Sequence, residues 1–285
     1  MRLLLIKILF LGCLVIPLTG CETIKELGKD LGLGSDDSST KDEYVGWNEA
    51  KFHEQATEAM RGSNYDKAVK LYEAMEARFP FGDYAAQTQL DIAYAYHKNG
   101  DPEASIAAAD RFIKINPRNP SIDYAFYLKG LVNYNRGISF IDRYLPTDSS
   151  QRDQVHARDS LAIFQELVRR FPKSKYAEDA NQRIISLRNN LAMHEIHIAN
   201  YYMKRKAYLA AIGRANEVIQ NYQKTPAVPY ALQIMQEAYT TLGMTSLAED
   251  TKRVYTLNFP NGTAAIEAQQ ANTVNKVWDF IGLDK

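Results

Sequence analysis

The sequence predicts an all-α fold, a helical-repeat solenoid of about five helix pairs, and three observations carry that reading. A small residue recurs at Ala68, Ser105, Ser160, Ala211 and Ala248, at intervals of 37, 55, 51 and 37 residues. Twelve positions after each stands Pro80, Pro117, Pro172, Gln223 or Pro260. Proline ends a helix because it has no N–H for the ladder. Between these marks apolar residues fall three and four apart, as Ile92, Ala93 and Tyr96 do before Gly100-Asp101, and Ile106, Ala109, Phe112 and Ile113 after it. A pair of helices with one apolar face each cannot bury both faces alone, so such pairs must stack.

In chain order, Arg2 and Lys7 flank an apolar run, Ile8 to Leu18, that is too short to span a bilayer and suits the core of a signal peptide. It ends Leu18-Thr19-Gly20-Cys21, which resembles a bacterial lipobox, the alternative being an ordinary secretory signal with an incidental cysteine. The resemblance implies a signal peptide over 1–20, lipidation of Cys21 and an anchor in the membrane. Glu22 stands where inner-membrane retention signals usually carry aspartate, so it further implies sorting to the outer membrane. Cleavage removes Cys13 and lipidation uses Cys21, which leaves no thiol for a disulfide. Residues 21–47 read as a flexible tether, because their glycine, serine and charge content cannot bury enough apolar surface to offset chain entropy.

The clearest unit runs L-D-I-A-Y-A-Y-H-K-N-G-D from Leu90, then through an alanine-rich run to Ile115-Asn116-Pro117, and it resembles a tetratricopeptide helix–turn–helix. The small positions pair with Ala56, Ala93 and Ala199 twelve residues upstream, but the third set fails at Asp148. That failure places the third unit's first helix at about 122–137 and an insertion at about 138–153. Phe140, Ile141, Tyr144 and Leu145 in it suit either a partner-binding loop or a plug against the third repeat. An amino-terminal lobe of repeats 1–3 is thus expected over 48–172 and a carboxy-terminal lobe of repeats 4–5 over 173–260. Lys173 to Ile212 has no proline or glycine, and Ala177, Ala180, Ile184, Leu187, Leu191, His194 and Ile198 form one stripe, so a helix of about thirty residues opens the fourth unit. Residues 261–285, with Val277, Trp278, Phe280 and Ile281, are expected to form a tail or cap.

Composition argues against several classes of function. The 285 residues carry 34 basic and 34 acidic side chains, with no clustered basic excess to suit a nucleic acid. Removing 1–20 takes away two basic residues and no acidic one. His194-Glu195-Ile196-His197 lacks the four-residue histidine spacing of zinc proteases, and His194 on the apolar stripe reads as a satisfied core histidine. With no nucleophile motif and no phosphate-cradling glycine loop, neither an enzyme nor a cofactor is expected.

Taken together, the lipobox, tether and five tetratricopeptide units with enlarged third and fourth members resemble the BamD family, the lipoproteins of the outer-membrane β-barrel assembly machinery. The residues carrying the resemblance are Arg78-Phe-Pro-Phe-Gly with Tyr84, Gln89-Leu-Asp, Tyr94-Ala-Tyr, Asp110-Arg-Phe-Ile, Asn116-Pro, Ile122-Asp-Tyr and His156-Ala-Arg. Gln223 in place of the repeat proline, a longer tether and an extra tail depart from the family pattern. The resemblance implies a scaffold that docks the periplasmic domain of BamA through its carboxy-terminal repeats and helps recognise unfolded β-barrel precursors through its amino-terminal ones. Other assembly-machinery lipoproteins are further implied partners. A general cell-envelope or peptidoglycan-associated adaptor fits the same repeats and lipid. For BamA the resemblance points to Tyr201, Tyr202, Arg205 and Arg214. For an extended peptide, first-helix positions facing away from the second helix are expected to include Tyr94, His97, Lys98, Tyr127 and Tyr134. Arg214 reads as a surface residue whose reversal to glutamate leaves folding untouched.

Overall fold

The computed structural model describes residues 44–136, 149–151 and 153–263. Cys21, residues 22–43, residues 137–148 and everything from 264 onward lie outside the described residues. Two units are present, Met1–Trp47 and Asn48–Lys285. Of the first, the described part is a turn in which the Trp47 N–H donates to the Tyr44 carbonyl at 3.1 Å, with their rings 5.1 Å apart.

The second unit is helical throughout its regular structure, with no strand among the described residues. Its helices are α1 (Glu49–Arg61), α2 (Tyr65–Arg78), α3 (Ala85–Asn99), α4 (Pro102–Ile115), α5 (Ile122–Arg136), α6 (Val155–Arg170), α7 (Ala177–Lys204), α8 (Tyr208–Asn221), α9 (Val228–Thr241) and α10 (Thr245–Asn258). Each packs on the next along the chain, and α3 also touches α5 while α7 touches α9. First helices of successive pairs therefore form one layer and second helices the other.

Short-range chemistry sets the boundaries. Asn48, Asn64 and Asp101 accept the backbone N–H of Lys51, Lys67 and Ala104 at 2.9, 3.2 and 3.1 Å, and Pro102 stands in the first turn of α4, where a missing N–H costs nothing. Five residues before the small position, the turn inside a pair needs one residue in the left-handed region. Gly100 (φ 83°) and Gly243 (φ 73°) supply it in two units, Ser63 (φ 57°) and Lys206 (φ 58°) in two others. At the far end of each pair the helix closes on Phe79, Asn116, Phe171, Tyr222 or Phe259, whose N–H reaches the carbonyl four residues back at 2.8 to 3.0 Å. Proline follows in four cases. In the fifth, the Gln223 side-chain amide donates to the Gln220 carbonyl, occupying a helix-end acceptor.

The small positions are where paired helices touch. Ala68, Ser105, Ser160 and Ala211 are fully buried and Ala248 nearly so. Ser105 Oγ donates to the Ala93 carbonyl at 2.7 Å and Ser160 Oγ to the Gly130 carbonyl at 2.9 Å, so the serine hydroxyls bond across the contact. Contact at Gly130 is close enough that a β-carbon there would lie 2.6 Å from the Phe164 ring.

The long helix α7 has 28 residues and serves two cores. Ala180 and Leu187 pack with Phe164 and Leu167 of α6, whereas Ala192, Ile196 and Ala199 pack with Ala211, Ala215 and Val218 of α8 and Ala231 and Ile234 of α9. The expected single stripe is corrected accordingly. It holds as far as Leu191, after which the buried face turns to Ala192, Glu195, Ile196 and Ala199, and His194 and Ile198 are only half-buried. The reason is a change of neighbour, from α6 to the α8–α9 pair.

Where the described chain resumes, Ser149–Gln151 forms a short 3-10 turn against α7. His194 Nδ1 lies 2.6 Å from the Ser150 carbonyl and His197 Nε2 2.9 Å from Ser150 Oγ, while Asn190 donates to the buried Gln154 at 3.3 Å. His194 is thus a hydrogen-bonded structural residue. The end of the insertion rests on the fourth unit's helix, while Phe140, Ile141, Tyr144 and Leu145 lie outside the described residues.

Candidate partner-binding surfaces

Among the described residues no group of three or more His, Cys, Asp or Glu side chains is gathered to hold a metal ion, and no helix is long and apolar enough to cross a membrane. Two polar-aromatic surfaces stand out.

The first lies on the layer of first helices. Glu49 at the start of α1 reaches across to accept the N–H groups of Asp83 and Tyr84 at 3.1 and 2.8 Å, capping α3, which has no side-chain cap of its own. A β-carbon at Gly82 would lie 2.2 Å from that carboxylate, so a side chain there would push Glu49 off its cap. Tyr84, so placed, stacks on His53 at 4.8 Å, and His53 Nε2 lies 3.6 Å from Asp91. Burial pushes the Asp91 carboxyl up, against the pull of hydrogen bonds from Gln87 and His53.

Tyr94 is 38% exposed beside His97, with their rings 6.5 Å apart, and burial holds the His97 imidazole below its ordinary value. Further along the layer, Tyr124 and Tyr127 both meet Tyr176, at 5.6 and 4.6 Å. Tyr94 and His97 therefore share one patch, while the other three expected residues turn elsewhere. Lys98 Nζ sits 5.5 Å over the Tyr65 ring, Tyr127 donates to Asp179 at 2.8 Å, and Tyr134 lies under the Arg183 guanidinium at 4.8 Å. Tyr127 and Tyr134 thus bind the third unit to α7. His53, Asp91, Tyr124 and Tyr176 were missed by the sequence reading. A signal existed for Tyr176, since it follows Phe171-Pro172 at the spacing by which Tyr84 follows Phe79-Pro80.

The second surface is on the fourth unit. Tyr201 is 56% exposed, with the Arg205 guanidinium 5.9 Å over its ring and Tyr202 edge-on at 5.8 Å. Tyr202 leans inward on the Ala192–Ile196–Ala199 core. On the α8 side, Arg214 Nη1 donates to Glu195 Oε2 at 3.0 Å, and Arg158 of α6 approaches the other oxygen, Oε1, at 3.6 Å. The Glu195 side chain is only 5% exposed, whereas Arg214 is 44% and Arg158 53% exposed. The hydrogen bond to Glu195 lifts the Arg214 guanidinium still further above its ordinary value. An open cleft of about 570 Å³ lies over this group, lined also by Tyr202, Gly213, Glu217 and Tyr222.

Of the four residues expected here, Tyr201 and Arg205 pair outward, and Tyr202 and Arg214 line the cleft. Glu195 and Arg158 were not anticipated in this role. Their presence overturns the expectation that Arg214→Glu leaves folding untouched, because that change sets a second carboxylate against a buried one.

Residues 47–254 match the family model YfiO, described as an outer membrane lipoprotein. The chain is 41% identical over 264 residues to the outer membrane protein assembly factor BamD of Neisseria meningitidis serogroup A, covering 93% of this chain and 95% of that one. It is 35% identical over 209 residues to the BamD of Vibrio cholerae, covering 73% and 87%, and 34% identical over 237 residues to that of Haemophilus influenzae, covering 83% and 90%. A match that runs from the first helix pair into α10, with relatives aligned over most of their length, settles the family: this chain belongs to the YfiO outer membrane lipoprotein family and is similar over most of its length to relatives named BamD.

Proposed function

We propose that this chain is a non-enzymatic assembly factor for outer-membrane β-barrel proteins, held to the periplasmic face of the outer membrane by lipid on Cys21. In this reading the fourth unit docks the periplasmic domain of BamA through Tyr201, Tyr202, Arg205 and Arg214. The first-helix layer receives extended segments of unfolded barrel precursors around Tyr94 and His97, with Lys98, Tyr127 and Tyr134 at its margins. Other lipoproteins of the machinery join the same solenoid.

The observation that carries the reading is that one solenoid of this family presents two separate surfaces, one aromatic with a half-buried carboxylate at Asp91 and one built of tyrosine and half-exposed arginine around the buried Glu195. Arginine offers a planar five-donor fork for carboxylates and carbonyls, and both residue types are enriched where interface energy concentrates. Aromatic groups beside polar ones suit the alternating side chains of an extended strand.

Anchoring is tested at Cys21. One acyl chain binds membranes reversibly, whereas several together hold firmly, each buried methylene adding about 0.8 kcal/mol. Cys21→Ser should abolish incorporation of labelled palmitate and release the chain from outer-membrane fractions, while the parent copurifies BamA. Continued labelling of the variant would refute the anchor.

A further inference from the structure

We propose that the docking surface extends into the third unit: Arg158 is a second partner-binding arginine, and the buried carboxylate of Glu195 is the positioning residue that holds Arg158 and Arg214 as two arms of one clamp. This rests on the docking reading of the fourth unit given above.

Three helices meet at the clamp. Glu195 projects from α7, Arg214 from α8 and Arg158 from α6, and each carboxylate oxygen takes one guanidinium, at 3.0 and 3.6 Å. A carboxylate this buried must be paired, since an unpaired charge out of water costs several kcal/mol. Pairing alone would be met by one arginine. The second arrives from the neighbouring lobe, and both arginines keep about half their surface open to the cleft.

What the cleft offers outward is donors. Glu195 is engaged by the two arginines, and Glu217, the other acid lining the cleft, accepts from the Asn221 side chain at 2.6 Å. Each guanidinium has five N–H groups, of which the contact to Glu195 uses one or two. Both guanidiniums line the cleft together with Ala210 and Gly213, and even an added β-carbon at Gly213 would find nothing within 4 Å. An acceptor with two oxygens, the carboxylate of an aspartate or glutamate on a protein partner, fits that supply. Because the arms stand on helices of different repeats, a partner gripping both reads the setting of the two lobes as well as their surface.

The experiment uses the full lipidated chain and the purified periplasmic region of BamA as probe, with affinities and circular dichroism melting recorded for Arg214→Gln, Arg158→Gln, Glu195→Gln and the Arg158→Gln/Glu195→Gln pair. Arg158→Gln should weaken binding about ten-fold with its melt unchanged. In the Glu195→Gln background, where neither arm is held by a carboxylate, the same substitution should cost about two-fold or less, the non-additivity of residues that act as a unit. An equal loss in both backgrounds would overturn the positioning role of Glu195. Weakening by Arg214→Gln with none from Arg158→Gln would overturn the clamp and leave the docking reading standing. No weakening by either would overturn both. If Glu195→Gln fails to fold, the single Arg158→Gln variant still decides whether the surface crosses the lobes.

Discussion

Gly130 is the residue whose replacement the packing forbids most plainly. A methyl group there meets the Phe164 ring at 2.6 Å, and Ser160 on the same facing helix already bonds the Gly130 carbonyl. Overpacking a rigid core costs about 1–3 kcal/mol, so Gly130→Ala should lower stability to urea by that amount, and an unchanged midpoint would contradict the close approach. Asp91 carries the opposite kind of strain, a carboxyl that burial holds above its ordinary value. The folded state then holds the proton more tightly than the unfolded chain does. The group's contribution to stability is complete below the ordinary carboxylate range and is lost as pH rises through the raised folded value. Asp91→Asn should therefore melt higher than the parent near neutral pH, with the advantage closing as the pH falls below the ordinary carboxylate range. A gap that widens on acidification would reverse that assignment. Ser160 was legible in the sequence at its fixed offset from Pro172, whereas Gly130 stands off the repeat spacing because the insertion separates it from its partner helix. Glu195 was not legible. On α7 it reads as one polar position between two histidines, and only the arrival of Arg158 from another helix gives it a role.

Among the elements, the turn that four of the pairs share is the most uniform, and its chemistry is uneven. Gly100 and Gly243 take the left-handed conformation without steric cost, while Ser63 and Lys206 take it with a side chain. A β-carbon there costs about 1–2 kcal/mol, partly offset by the backbone freedom glycine loses on folding. Lys206→Gly should accordingly raise stability by about 0.5–1 kcal/mol and Gly100→Ala lower it by about 1 kcal/mol, both read from denaturant midpoints. Stabilisation of neither turn by glycine would mean that the turns are not held at these angles in solution. Proline, glycine and helical periodicity announced the stacked helix pairs from the sequence, and an absence of both breakers announced the length of α7. The change of face along α7 was beyond periodicity, because a stripe records which side of a helix is apolar and not which neighbour covers it. In the insertion, only Ser149–Gln151 and Gln154 show where its end rests, through partners on α7 that no local pattern names.

At the scale of the whole molecule, stacked helix pairs carry two separate surfaces at different repeats, and the account assigns each surface a different client. Family membership was readable because a run of motifs in fixed order survives where single motifs would be ambiguous. The split of the expected peptide-binding residues was not, since Tyr127 and Tyr134 look like Tyr94 in sequence and differ only in what the next unit brings against them. The most direct measurement is site-specific photocrosslinking in living cells, with the reactive residue at Tyr201 in one strain and at Tyr94 in another, followed by identification of the captured proteins. The account predicts the periplasmic domain of BamA at Tyr201 and unfolded β-barrel precursors at Tyr94; capture of peptidoglycan-associated proteins at Tyr201, with no BamA, would contradict it.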